Sequence, residues 1–219
     1  MTDEEYRVLE KIKNSIPVCY LADHADFALG IVTGNNKKFL SAEKTENSEM
    51  VLKGTDICKY HINPVKQYLR FEPEQFQQVA PLEIYRAPEK LLYRFISNQL
   101  VVAYDDRQML SLNSCNIVIP KIDGMQIKYI LAILNSSVSQ FVYQKEFHSI
   151  KVLRAHMEHI PIPRVGKAIQ NEIIAMTEPL ICGMGKEAAE TCQKRLDCRI
   201  MDLFRLSAEE QWIIRHALH

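Results

Sequence analysis

The chain has 219 residues, 47% of them apolar, enough for one sizeable core or for a domain with a small appendage. Its 27 Lys and Arg balance 27 Asp and Glu, which excludes a uniformly basic nucleic-acid coat. The balance is uneven: residues 31–70 carry seven cations against four anions and 86–154 carry nine against five, whereas 1–30 carry three against six and 155–219 eight against nine.

Thr2 and Glu5 have capping-box spacing, and Tyr6, Leu9 and Ile12 follow at helical period, so a helix is predicted that ends before Pro17. Residues 28–32, Ala-Leu-Gly-Ile-Val, predict a strand. It delivers the loop Thr33-Gly34-Asn35-Asn36-Lys37-Lys38-Phe39, in which Gly34 suits a left-handed turn. The polar run 41–49 reads as a loop. Asp56–Tyr60 and Tyr68–Phe71 read as short strands around Asn63-Pro64. Residues 72–89, with three Pro, read as an irregular excursion. Lys90–Ile96 and Leu100–Tyr104 predict a hairpin, followed by a polar tip at Asp105–Gln108. Cys115–Ile119 predicts a further strand, stopped by Pro120.

The period changes after Gly124. Ile127, Ile130, Leu131, Leu134, Val138, Phe141 and Val142 make one helical stripe that predicts a helix packed on the sheet. Residues 150–153 read as a returning strand, and Pro161-Ile162-Pro163 punctuates the chain. Helices are then predicted at Val165–Thr177, Lys186–Phe204 and Ser207–Leu218, the last opened by a second capping box from Ser207 and Glu210. The expected fold is therefore α+β: a mixed, twisted sheet with packed helices over residues 1–163, then a helical spacer or docking segment over 164–219.

Catalytic signatures are sparse. There is no Gly-x-Gly-x-x-Gly, no phosphate-binding loop and no Glu-x-Lys spacing. Asn63-Pro64-Val65-Lys66 begins like the Asn-Pro-Pro-Tyr of amino-methylating enzymes but lacks the second Pro and the stacking aromatic, so it reads as a turn. His156 and His159 are too few for a zinc site, and no catalytic residue, metal ligand or cofactor site is expected in this chain. The six cysteines form no Cys-x-x-Cys pair, and the acidic opening Met1–Glu5 is unlike a signal peptide. No apolar run approaches the ~18 residues of a membrane span. The expectation is a cytoplasmic protein without a membrane partner.

The order of segments resembles the TaqI-like C-terminal specificity domain. The resemblance is carried by Gly30-Ile31-Val32-Thr33-Gly34-Asn35, Leu52-Lys53-Gly54-Thr55-Asp56-Ile57, Pro88–Arg94, Leu131-Ala132-Ile133-Leu134-Asn135-Ser136, Glu158–Pro163 and Leu206–Glu210. It implies target recognition on double-stranded DNA for an adenine-N6 DNA methyltransferase or a fused restriction–modification enzyme. It also implies that S-adenosylmethionine and the chemistry belong to a methyltransferase domain on the N-terminal side or to a separate catalytic subunit. The alternative is a protein-interaction or assembly module of a restriction–modification system without base readout.

Three loops carry the expected DNA contacts. The first offers Thr33, Asn35, Asn36, Lys37 and Lys38: amides that both donate and accept, and point charges for phosphate. The second offers Asp106, Arg107, Gln108, Ser111, Asn113 and Ser114, with Arg suited to guanine and Gln to adenine. The third offers Lys145, His148, Ser149, Lys151 and Arg154, alternating with Phe147, Ile150 and Leu153 as apolar anchors. Arg94 reads as an edge-strand cation, Lys53 and Lys59 as solvated, and Asn135 and Ser136 as packing residues.

Overall fold

The main sheet is apolar on both faces, so it must be covered twice. Leu91, Tyr93 and Val118 point into one core and Leu92, Ala103 and Ile117 into another. The computed structural model describes residues 1–147 and 149–218, so the expectation for His148 lies outside the described residues. The helices in chain order are α1 (Asp3–Asn14), α2 (Asn36–Phe39), α3 (Leu82–Tyr85), α4 (Ile127–Asn135), α5 (Ser137–Glu146), α6 (Arg154–Glu158), α7 (Lys167–Ile181), α8 (Lys186–Leu203) and α9 (Ala208–Ala217). The strands are β1 (Val18–Cys19), β2 (Ala25–Ala28), β3 (Leu40–Ser41), β4 (Ser48–Leu52), β5 (Tyr68–Arg70), β6 (Lys90–Arg94), β7 (Val102–Asp105), β8 (Leu110–Ser111), β9 (Cys115–Pro120) and β10 (Ile162–Pro163).

The main sheet has the order β2-β9-β6-β7 and is antiparallel throughout. The second sheet, β3-β5-β4-β8, is mixed, because β8 runs parallel to β4. A small pair, β1 with β10, ties the end of the first segment to residues 162–163. The result is the expected α+β fold, with helices on one face of the main sheet and the second sheet on the other. The helices of residues 167–217 are not set apart from this core: Ile173, Leu180, Leu196, Ile200 and Ile214 share one apolar cluster with Leu9 and Ile12 of α1 and with Ile130 and Leu134 of α4. Gln170 stitches the junction, donating to Gly124 O and Val165 O and accepting from Gln126 N.

Both capping boxes form, at Thr2 with Glu5 and at Ser207 with Glu210. The hairpin of β6 and β7 also forms. Several other elements differ from expectation. Strand β2 ends at Ala28, and Ile31 and Val32 make only isolated bridges to Leu112 and Gln78, because the chain leaves the main sheet there for the second one. Residues 54–56 are a single 3₁₀ turn, and Ile57 and Tyr60 make isolated bridges instead of a strand. The predicted long helix breaks at Ser136. Asn135 reaches across to Val102 N and O, Ser136 Oγ caps α5 by accepting from Ser139 N, and Asp197 of α8 accepts from Ser137 N and Oγ. Residues 150–153 contribute one bridge, Lys151 to Ile96.

Three charged residues also depart from their sequence reading. Arg94 lies on a central strand and donates to Gly54 O at 2.8 Å and Ile57 O at 2.6 Å. Lys59 Nζ donates to Asn135 O at 3.1 Å, and burial pushes its ammonium below the usual lysine range. Asp105 is no part of a polar tip: it is 1% exposed and faces Lys90, 0% exposed, across the β6–β7 register.

That Lys90–Asp105 pair is 2.5 Å apart, and every oxygen of the carboxylate is used, since Arg107 N and Met109 N also donate to it. Lys90 Nζ additionally donates to Tyr85 O. Removing one member strands a buried charge. Asp105→Ala is therefore expected to cost about 3–5 kcal/mol in urea unfolding, whereas Asp26→Ala, which breaks the solvated pair with Lys121, should cost under about 1 kcal/mol. Equal costs would contradict this account. His156 supplies a pH-dependent counterpart. Its Nδ1 accepts from Leu153 N and its ring stacks on Phe147 at 4.4 Å, while burial holds its pKa below the ordinary value. The folded state then binds fewer protons than the unfolded state, so stability falls as the pH drops below about 6.5 and levels off under the folded pKa. The urea midpoint should drop between pH 7.5 and 5.5 by more in the native sequence than in His156→Gln; an equal drop excludes this residue as the cause.

Candidate nucleic-acid interface

Gly34 takes φ +74°, as a left-handed turn requires, and releases the chain into α2. Asn35 caps that turn by accepting from Lys38 N at 3.2 Å. Thr33 is buried and donates to Asn36 Oδ1 at 2.6 Å, so it orients the loop and does not itself face solvent. Lys38 reaches Gln75 Oε1 and lies over the Phe39 ring. Asn36 and Lys37 are left pointing outward, with the Asn36 amide hydrogens and the Lys37 ammonium available.

They form one wall of a shallow groove of about 460 Å³. The opposite wall is built by Lys53, Gln67, Asn113 and Ser114. No carboxylate lines it, and neither Lys37 nor Lys53 has an ion-pair partner among the described residues. Two close backbone approaches set the width. A Cβ on Gly30 would lie 2.1 Å from Leu112 O, and one on Gly54 would lie 2.5 Å from Ser114 O. With hydrogen there instead, Gly54 N donates to Ser114 Oγ at 2.9 Å and Asn113 N donates to Ile31 O at 3.1 Å. Asp56 Oδ2 accepts from Lys53 N and fixes the turn that carries the lysine.

The second expected loop is divided. Asn113 and Ser114 reach the groove, but Ser114 Oγ is already used by Gly54. Ser111 is buried and its Oγ has no hydrogen-bond partner among the described residues, so it cannot meet a base. Asp106, Arg107 and Gln108 are exposed at the other end of β8, where Gln108 O accepts from Arg86 and Arg86 pairs with Glu49. These three precede β8 and do not line the groove, whereas Asn113 follows it and does.

The third loop splits too. Lys145 pairs with Glu5 at 2.7 Å, and its ammonium holds that carboxyl below the usual range. Ser149 Oγ is spent locally, donating to Lys151 O and accepting from Lys151 N. Lys151 and Arg154 stay exposed, beside the groove: Phe95 N donates to Ser114 O, Phe95 O accepts from Val152 N, and Lys151 Nζ lies 5.9 Å from the Phe95 ring centre. The apolar anchors are displaced by one position. Val152 is buried, whereas Ile150 and Leu153 are 71% and 42% exposed.

Sequence reasoning missed Lys53 and Gln67 as groove residues. Lys53 sits in the Leu-Lys-Gly-x-Asp-Ile step, whose glycine marks a close approach; Gln67 follows no pattern that signals it. Gln67 Oε1 is buried with no partner among the described residues. A larger cavity of about 610 Å³ lies between β9, α4 and α7, but Glu89 and Glu178 line it, and its cation Lys128 is already paired with Glu178. No group of three or more His, Cys, Asp or Glu is placed to hold a metal among the described residues.

The family model of the TaqI-like C-terminal specificity domain matches residues 49–162. No curated protein matches the sequence. Among solved structures, one of a type I restriction–modification system is 14% identical over 99% of this chain and 52% of that chain, with a TM-score of 0.50. The type IIL restriction–modification enzyme MmeI, solved in complex with DNA, is 10% identical over 91% of this chain and 35% of that chain, with a TM-score of 0.61. At such identities the likeness is one of fold, and the chain spans about half of the first protein and about a third of the second. With the family match covering more than half of its residues, the chain belongs to the TaqI-like C-terminal specificity domains.

Proposed function

We propose that this chain is the target-recognition part of a restriction–modification adenine-N6 DNA methyltransferase, and that it binds duplex DNA in a sequence-selective way. The observation that carries the reading is the groove of Asn36, Lys37, Lys53, Gln67, Asn113 and Ser114: two cations, four hydrogen-bonding side chains and no carboxylate, on a chain with no net charge. Lys37 and Lys53 fix the register on phosphates, and the amides of Asn36 and Asn113 read base edges. Membership of a specificity-domain family and the fold shared with a restriction–modification enzyme solved on DNA support it.

The reaction falls to another part. A methyltransferase domain or a separate catalytic subunit binds S-adenosylmethionine and transfers the methyl group. The Gly183-Met184-Gly185 stretch of this chain only joins α7 to α8. Helices α7, α8 and α9, near neutral in charge, are the spacer and docking surface for that partner. No helix among the described residues is long and apolar enough to cross a membrane, and a cytoplasmic place fits the job.

A randomised-duplex selection with the full chain would give its preferred site. On that site, Lys37→Ala with Lys53→Ala should flatten the plot of log affinity against log salt by about 1.8 and weaken all sequences alike. Asn113→Ala should instead cost about 1–3 kcal/mol on the selected site and leave other duplexes unchanged. A salt slope unaltered by the double substitution would remove the groove from the interface.

A further inference from the structure

A second, smaller recess opens next to the groove and none of the contacts above uses it. It holds about 230 Å³, below the ~300 Å³ at which sites for drug-sized ligands begin. Its walls are the rings of Phe27, Tyr93 and Phe95, its floor includes the amide of Asn116, and Leu153 and Arg154 stand at its mouth. The floor is rigid: Tyr93 is 3% and Asn116 4% exposed, on paired positions of β6 and β9.

The polar groups there are only partly spent. Asn116 Oδ1 accepts from Gly30 N at 3.3 Å, and its side chain lies near enough to the Tyr93 hydroxyl to offset part of the effect of burial there. The proton of that hydroxyl has no acceptor among the described residues, and burial pushes its pKa up to about 12, so it remains a donor at neutral pH. Arg154 lies over the Phe27 ring at 5.2 Å and pairs through Nε with Glu158, which leaves its outer nitrogens to solvent. Lys151, over Phe95, adds a second cation on the same rim. The neighbouring Ile96 and Ile150 are 61% and 71% exposed and do not fold in to fill the space.

Flat aromatic walls, a hydroxyl and an amide on the floor, and cations at the mouth match one ligand chemistry: a planar heterocycle next to a phosphate. We propose that the recess receives a single nucleobase displaced from the stack of the bound DNA. The proposal rests on the DNA-recognition reading and deepens it. The source is the DNA itself, because Phe95 N donates to Ser114 O and so joins the recess to the groove wall along one stretch of backbone. The base enters between Phe27 and Phe95, its edge meets Tyr93 and Asn116, and its phosphates stay outside with Lys151 and Arg154. Stacking on the rings accepts any base, and preference among bases comes only from the edge contacts with Tyr93 and Asn116.

The test uses the full chain and two duplexes that differ only in one unpaired 2-aminopurine. The bulged duplex should bind on the order of tenfold tighter than the paired one, with a change in 2-aminopurine fluorescence on binding. Phe95→Ala should abolish the difference and leave the paired duplex unaffected. Leu153→Glu, on an exposed side chain at the mouth, should do the same without touching the core. Equal affinity of the native chain for both duplexes overturns the proposal while leaving the groove intact. Competition by free deoxyadenosine monophosphate as strong as by the bulged duplex overturns the DNA source. Failure to bind either duplex overturns the DNA-recognition reading and this proposal with it.

Discussion

Two glycines hold this architecture to its shape. At Gly30 and Gly54 the backbone lies against the turn between β8 and β9 so closely that any Cβ would collide with a carbonyl oxygen. Those approaches press three separate stretches, residues 30–37, 53–56 and 112–114, onto one spot. Arg94 then locks the arrangement from the main sheet by donating to Gly54 O and Ile57 O. The spacing between Lys37, Lys53 and Asn113 is thus set by backbone contact and not by flexible side chains. Such preorganisation is what base readout needs, since bidentate pairing tolerates little misplacement.

The charges are distributed to the same end. Lys90, Lys145, Lys128 and Lys11 are each neutralised by a carboxylate within 2.7 Å, mostly where helices and strands pack together. Lys37 and Lys53 have no such partner among the described residues and line one groove. A chain with no net charge can in this way present a local positive surface. What matters for phosphate is where a cation is left unpaired, and the composition is silent on that.

Much of the fold was legible from local rules. Thr2 with Glu5 and Ser207 with Glu210 cap their helices as their spacing says, and the β6–β7 hairpin lies where two apolar runs flank a polar turn. What escaped was decided by distant partners. The unbroken stripe from Ile127 to Val142 hides a helix break, because Asp197, 60 residues away, takes the free N–H of Ser137. Asp105 reads as polar tip until β6 places Lys90 opposite it. The candidate site shows the same limit. The first loop was visible as amides and lysines after a glycine, and its Asn36 and Lys37 do line the groove. Ser111, by contrast, follows the same rule of thumb and is buried, and Gln67 obeys none and lines the groove.

The central claim is that DNA lies against the wall made by these three pinned stretches while the helices of residues 167–217 face a protein partner. Amide hydrogen exchange of the full chain, with and without its selected duplex, tests this directly. The account predicts slowed exchange at residues 36–38, 53–55 and 113–114 and none in α7, α8 or α9. Protection confined to those helices, with the groove unchanged, would contradict it.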